Sequence, residues 1–270
     1  MTGASAPADA PRSPAARSLL DRLDRIGEVL RDRGDALALI GLGSVGRDLH
    51  RLDEHSDLDF FAVVEDDAKR GYLAGLDWLE AAAPVAFSFA NTVDGRKVLF
   101  EDGIYAEYAV FTLAEVRAAA HPPGRVVWQR ADAPDGLEVP RRTPPLDDVD
   151  LPHQVGEVLT NLLVGLHREA RGERLAAMRL VQVHAVDRVL RILELLQGGA
   201  DRQDPFAPER GAERQHRGRD LPLAQLAPGY EHNARAARAV LGWLQAHCPE
   251  QLDPALLATV TELLEQAEVR

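Results

Sequence analysis

Two aspartates stand one residue apart in Asp57-Leu58-Asp59, at the head of the apolar run DLDFFAVV. On a strand, residues i and i+2 point to one face, so both carboxylates reach a common centre. Paired oxygens of this kind suit a hard cation such as Mg²⁺. That ion usually takes one or two protein carboxylates and fills its shell with water and substrate phosphates. Upstream, Gly43-Ser44 closes a second apolar run, Leu37 to Leu42. This turn is expected to open a helix whose free N–H groups and dipole suit a phosphate. Together the two features suit chemistry at a metal-bound phosphate.

A competing reading uses the same glycines. Gly41, Gly43 and Gly46 match G-x-G-x-x-G after a strand, and Glu65 follows at a distance fit for a ribose contact. Three features count against a dinucleotide site. The helical stretch after Gly46 is short and breaks at RLDEHSD. Hairpins follow it where strand-helix-strand units are required. Asp57 and Asp59 also have no task in such a fold.

The elements that would position these residues are legible from periodicity. Ser18 to Arg31 has helical spacing of Leu19, Leu23, Ile26 and Leu30. Strands are expected at Leu37–Leu42, Asp57–Val64, Val85–Ala90, Arg96–Glu101 and Ile104–Thr112. Asp94-Gly95 and Asp102-Gly103 are the dipeptides of tight hairpins. The expectation is an α+β chain whose N-terminal domain, 17–145, holds a mixed five-stranded sheet with an antiparallel meander. A Pro-rich link with Pro134, Pro140, Pro144, Pro145 and Pro152 follows. Beyond it, apolar stripes from Val155 to Leu166, Val186 to Leu196 and Leu256 to Leu264 predict a helical bundle over 146–270. Residues 1–16, rich in Ala, Pro and Ser, read as a disordered tail. The insert DRQDPFAPERGAERQHRGRDLP balances acids against Arg202, Arg210, Arg214, Arg217 and Arg219, and reads as a solvated loop.

Composition narrows the partners. The 270 residues carry a net charge of −12, which disfavours nucleic acid or an anionic membrane surface as partner. A small phosphate-bearing substrate remains compatible, because bound cations reverse the local field. The lone Cys248 excludes an intramolecular disulfide and a thiolate zinc site, which fits a cytoplasmic setting. No apolar run has the length of a membrane span. Lys69 and Lys97 are the only lysines, a bias that suggests base composition and no function.

The pattern Gly43-Ser44, twelve residues, then Asp57-Leu58-Asp59 resembles the signature of the nucleotidyltransferase superfamily that includes DNA polymerase beta. From about Leu37 onward the chain is most similar to the antibiotic nucleotidyltransferases, particularly the longer lincosamide enzymes. The resemblance implies a third carboxylate on a neighbouring strand, best matched by Glu107 in IYAEYAVF, with Glu101 and Asp102 as rivals beside a turn. It implies that Asp57, Asp59 and Glu107 hold metal, as two Mg²⁺ ions, with Glu107 a ligand or a general base. It places Gly43, Ser44, Arg47 and Ser56 at the nucleotide. Arg47 either reaches the triphosphate or coats its helix, and Ser44 also suits a plain N-cap. The implied reaction transfers a nucleoside monophosphate from an NTP to a hydroxyl of a small molecule, an antibiotic for example, and releases pyrophosphate. The acceptor is expected between the two domains, where Trp78, Trp128, Trp243 or Tyr230 could stack on it, although such aromatics more often build core.

A second class of function rests on Arg179-x(4)-His184, which is similar to the loose R-x(4–6)-H pattern of helical HEPN ribonucleases. It implies a toxin-antitoxin type system, with a protein or RNA as acceptor and the helical domain as ribonuclease or partner. A homodimer is compatible with an exposed helix face.

Overall fold

Ser13 accepts a hydrogen bond from the Ala16 amide at 3.1 Å and Pro14 takes the first turn, so helix α1 (Pro14–Arg33) starts here. It ends at Gly34, whose φ of 75° supplies the left-handed stop. Residues 14–16, expected in the tail, are therefore helical, and Ala16 is buried. The computed structural model describes residues 13–142, 150–197 and 207–268. Residues 1–12 of the expected tail, the link around Pro144 and Pro145, and Arg202 lie outside them.

The chain divides into two compact units, Met1–Pro144 and Pro145–Arg270. In the first, six strands form one mixed sheet: β1 (Ala36–Gly41), β2 (Leu58–Val64), β3 (Val85–Ala90), β4 (Gly95–Phe100), β5 (Tyr105–Thr112) and β6 (Arg125–Gln129). Their order is β3-β4-β5-β2-β1-β6. The β3-β4-β5 meander is antiparallel, as expected, and β5 lies parallel to β2. The expected count of five strands is corrected to six. β6 pairs antiparallel with β1 at the far edge. Its apolar run is only Val126, Val127 and Trp128, too short to stand out from a loop.

One sheet face packs against α1 and the short helices α2 (Lys69–Ala74) and α3 (Asp77–Glu80), burying Leu58, Phe60, Val98, Phe100, Ala106 and Tyr108. Phe60 stacks on Tyr108 with centroids 5.3 Å apart, and the edge of Trp78 meets both rings. Trp78 is therefore core and not a ligand platform. The opposite face is covered only over part of its area. There Val63 packs with Val116 of α4 (Leu113–Ala118) and with Ala133 and Leu137. Helix α4 begins with a capping box between Thr112 and Glu115.

The second unit is helical: α5 (Leu151–Ala170), α6 (Arg174–Met178), a π-helical turn (Arg179–His184), α7 (Ala185–Leu196), the short α8 (Ala212–Gln215) and α9 (Leu223–Leu226), α10 (Asn233–His247) and α11 (Pro254–Glu268). The three stripes seen in the sequence meet in one core with Ala236, Val240 and Trp243. Within it Gln182 donates to Gly229 O at 2.9 Å and to Asn233 Oδ1 at 2.7 Å, so the buried amides are paired.

Candidate active site

Strand β1 ends at Gly41, and Gly43–Val45 then makes a single 3₁₀ turn. The Leu42 amide donates to Asp59 O at 2.8 Å, which ties the turn to the second aspartate's own backbone. Gly43 has φ of 51°, and a Cβ there would lie 3.9 Å from Asp59 Oδ2. The turn's backbone thus approaches that carboxylate closely. The expected α-helix after Gly43-Ser44 is absent. The amides of Gly46 and Asp48 both donate to Gly43 O, at 3.0 and 3.1 Å, and close the chain on itself. At Gly46 a Cβ would meet Gly41 O at 2.6 Å and the Leu42 backbone at 2.7 Å. No macrodipole of a long helix acts here; what the turn offers is its first amides, which have no acceptor within it. Arg125 of β6 holds the turn from outside, its Nε and Nη2 donating to Val45 O at 3.2 and 2.9 Å.

The acids sit on the less covered sheet face. Asp57 immediately precedes β2 and Asp59 lies within it, both half-buried. Glu107 stands directly opposite Asp59 in the parallel β2–β5 register. The strands therefore bring the third carboxylate beside the pair. Its side chain is held from the other flank: Asn91 Nδ2 donates to Oε1 at 2.8 Å, and Lys97 Nζ lies 3.2 Å from Oε2. Lys97 faces Glu107 across β4–β5. The hydrogen bond to Glu107, and then its charge, raise the Lys97 ammonium above its ordinary pKa. Gly95 leaves Asn91 room to fold over, since a Cβ there would come within 3.0 Å of Asn91 Oδ1.

Among the described residues no three His, Cys, Asp or Glu side chains converge as a metal-holding group. The expected three-carboxylate cradle is thus not closed, because Glu107 is engaged with Asn91 and Lys97. Asp57 and Asp59 still fit a hard cation: they supply oxygen donors from one strand, in the number Mg²⁺ takes from a protein when phosphates complete its shell.

The other expected residues divide. Ser44 stands half-buried in the turn, and Arg47 is exposed just beyond it. The Ser56 hydroxyl serves the chain itself, accepting from the Asp53 amide at 3.1 Å and donating to Asp53 Oδ1 at 3.2 Å. It shapes the turn that delivers Asp57. Glu65 pairs with Arg130 at 2.5 Å, at the opposite end of β2. Strands β1 and β2 are antiparallel, which excludes the dinucleotide reading, since that fold requires parallel strands joined by a helix. Arg179 and His184 bound the π-helical turn, both exposed. Trp243 is core, whereas Tyr230 is exposed.

Lys97, Asn91 and Arg125 were not singled out by the sequence. Only Lys97 left a signal there, as one of two lysines in a chain that otherwise uses arginine.

The chain is similar to solved adenyltransferases. An aminoglycoside 6-adenyltransferase from Bacillus subtilis shares 14% identity, with 93% of this chain and 99% of that one covered and a TM-score of 0.30. A spectinomycin adenyltransferase from Enterococcus faecialis, solved with ATP and spectinomycin, shares 14% identity over 92% and 98%, with a TM-score of 0.31. A STING-associated c-di-GMP synthase from Capnocytophaga granulosa shares 12% identity over 96% and 82%, with a TM-score of 0.35. No family model matches the chain, and no curated protein does. These TM-scores set no residue correspondence, so the site stands on its own geometry. No described helix is long and apolar enough to cross a membrane.

Proposed function

We propose that this chain is a nucleotidyltransferase that moves a nucleoside monophosphate from an NTP to a hydroxyl of a small molecule and releases pyrophosphate. One observation carries the reading: Asp57 and Asp59 head β2, Glu107 faces Asp59 from β5, and the Gly43 turn approaches the same carboxylate. Asp57 and Asp59 are the residues that would hold Mg²⁺. Bound there, the cation would neutralise the triphosphate and polarise its α-phosphorus. The first amides of the Gly43-Ser44 turn receive phosphate oxygens, and Arg125 fixes that turn from behind. Glu107 takes the proton of the acceptor hydroxyl as the oxygen attacks phosphorus. Asn91 and Lys97 aim its carboxylate. The new P–O bond forms as the bond to pyrophosphate breaks. The acceptor class suggested by the sequence resemblance is an antibiotic such as a lincosamide.

The test is pyrophosphate release with Mg²⁺ and each NTP against a panel of hydroxylated antibiotics, with mass spectrometry of the products. Adducts heavier by one nucleoside monophosphate are expected. Turnover retained in both Asp57→Asn and Asp59→Asn would remove the assignment.

A further inference from the structure

The row of residues that ends at the acids continues across the hairpins. In register, Phe89 of β3 faces Lys97 of β4, Lys97 faces Glu107 of β5, and Glu107 faces Asp59 of β2. Paired residues share a face, and so do residues two apart on one strand. Phe87, Leu99 and Tyr105 therefore form the neighbouring row on this same face, with Phe87 opposite Leu99 and Leu99 opposite Tyr105. All are open to solvent: Phe87 is 58% exposed, Phe89 46%, Leu99 38% and Tyr105 36%. The two phenylalanine rings lie side by side, centroids 5.9 Å apart. A contiguous apolar patch of this sort on a soluble unit marks a binding surface. Here Tyr105 stands two residues from Glu107 on β5, about 6.6 Å along the strand, and Lys97 lies between Phe89 and Glu107.

Charge defines what the patch can take. Three acids near it are already engaged: Glu107 with Lys97 at 3.2 Å, Asp94 with Lys69 at 2.6 Å, and Asp102 with Arg22 at 2.6 Å. That leaves Glu101, exposed two residues beyond Leu99, as the acid there without an ion pair among the described residues. A polycationic acceptor would find few free carboxylates beside the rings, and Lys97 would repel it. An acceptor with an apolar ring or alkyl face meets the opposite conditions, with the rings stacking on its C–H groups.

We infer that Phe87, Phe89, Leu99 and Tyr105 form the platform for the acceptor, and that the acceptor is a hydroxyl-bearing molecule with an apolar ring face and at most one positive charge. This rests on the nucleotidyl-transfer reading of the acids. The apolar face lies on the platform and its hydroxyl reaches Glu107. The hydroxyl oxygen bonds to the α-phosphorus, its proton passes to Glu107, and pyrophosphate leaves with the electron pair of the broken P–O bond. Pairing of β3 with a second copy is the rival occupant of this region. The register break between Val85 and Phe87 opposes it, because a bulge twists an edge strand away from a flat partner.

Two measurements on the full chain test the inference. The first is ¹⁹F NMR of protein labelled with 4-fluorophenylalanine, the Phe87 and Phe89 signals being assigned by Phe→Leu substitution. Lincomycin or phenyl glucoside, added without nucleotide, should shift both signals, and polycationic kanamycin should shift neither. The second is transfer kinetics with Mg²⁺ and the NTP that supports turnover. Phe87→Ser and Phe89→Ser should each raise the acceptor KM about tenfold and leave the nucleotide KM unchanged. Silent signals with both apolar probes overturn the inference. So does faster turnover of kanamycin, or a dimer in size-exclusion chromatography that Phe89→Ser dissolves. Shifted signals in a chain that turns over no NTP would keep the platform as a binding surface but overturn the acceptor assignment together with the transfer reading. Transfer to lincomycin with unmoved signals would overturn the platform alone.

Discussion

Asp59 and Glu107 face each other directly across the parallel pair of β2 and β5. Parallel neighbours need a crossover, and here it runs from β2 through α2 and α3 to β3 at the sheet edge, then back through β4 to β5 beside β2. The topology brings two acids 48 positions apart in the chain to adjacent strands. It also inserts Lys97 on the other flank of Glu107.

Asp57→Asn and Asp59→Asn should abolish transfer while the protein stays folded. Losing a carboxylate that would hold the cation is expected to cost several kcal/mol of transition-state stabilisation, about 10³-fold or more in kcat. Both side chains are half-buried, so the stability change should stay within about 1 kcal/mol. Steady-state kinetics beside a thermal melt separates the two effects. A melt that collapses in step with activity would make the pair structural.

Glu107→Gln keeps an oxygen for Asn91 but removes the proposed base. Transfer should fall about 10²- to 10⁴-fold. The ion pair with Lys97 is part-exposed on both sides and screened by solvent, so its loss should leave the melting midpoint nearly unchanged. Lys97→Met tests the aiming role from the other flank: kcat should fall while the nucleotide KM holds, and Lys97→Arg should recover part of the loss. A variant pair that changes only KM would place Lys97 on the nucleotide instead.

The acid pair and its strand were legible because both signals are local: a period of two, and an apolar run that starts at the acids. Glu107 was reached through the family resemblance, as the lone acid of an otherwise apolar strand, with Glu101 and Asp102 as rivals. The partners of Glu107 were not, since Asn91 and Lys97 reach it through the register of three strands, which no single stretch of sequence encodes. β6 failed for a different reason. Its three apolar residues lie between Arg125 and Gln129, and their place beside β1 depends on Gly124, where a Cβ would meet Ile40 at 2.5 Å. The expected helix at Ser44 failed because Gly46 folds the chain back within one turn.

The glycine turn yields an ordering that separates strain from collision. Gly43 has positive φ but open surroundings, so Gly43→Ala should cost about 1–2 kcal/mol, the penalty for a left-handed residue with a Cβ. At Gly46 the colliding atoms are backbone at 2.6 to 2.8 Å, which cannot yield as a side chain would. Gly46→Ala should therefore destabilise more than Gly43→Ala in urea unfolding. Equal losses would mean that the turn is free to open.

His216 supplies a pH dependence confined to the helical unit. It is 7% exposed and neither ring nitrogen has a hydrogen-bond partner. Burial pushes its pKa below the ordinary value, Arg219 adds to that, and Glu194 opposes both. A histidine with a lowered folded pKa binds its proton more readily in the unfolded chain, so stability rises with pH between that value and about 6.5 and is complete above it. Acidification from about pH 7 to pH 5 should thus lower the unfolding midpoint of this unit, and His216→Leu should flatten that step. Asp187 acts with the opposite sign: burial first, then Glu209, raises its pKa, so its penalty grows as pH rises through an interval beginning near the ordinary carboxylate value of about 3.9. Melts of both proteins across this range read the difference, and an unchanged slope in His216→Leu would assign the acid sensitivity to other groups.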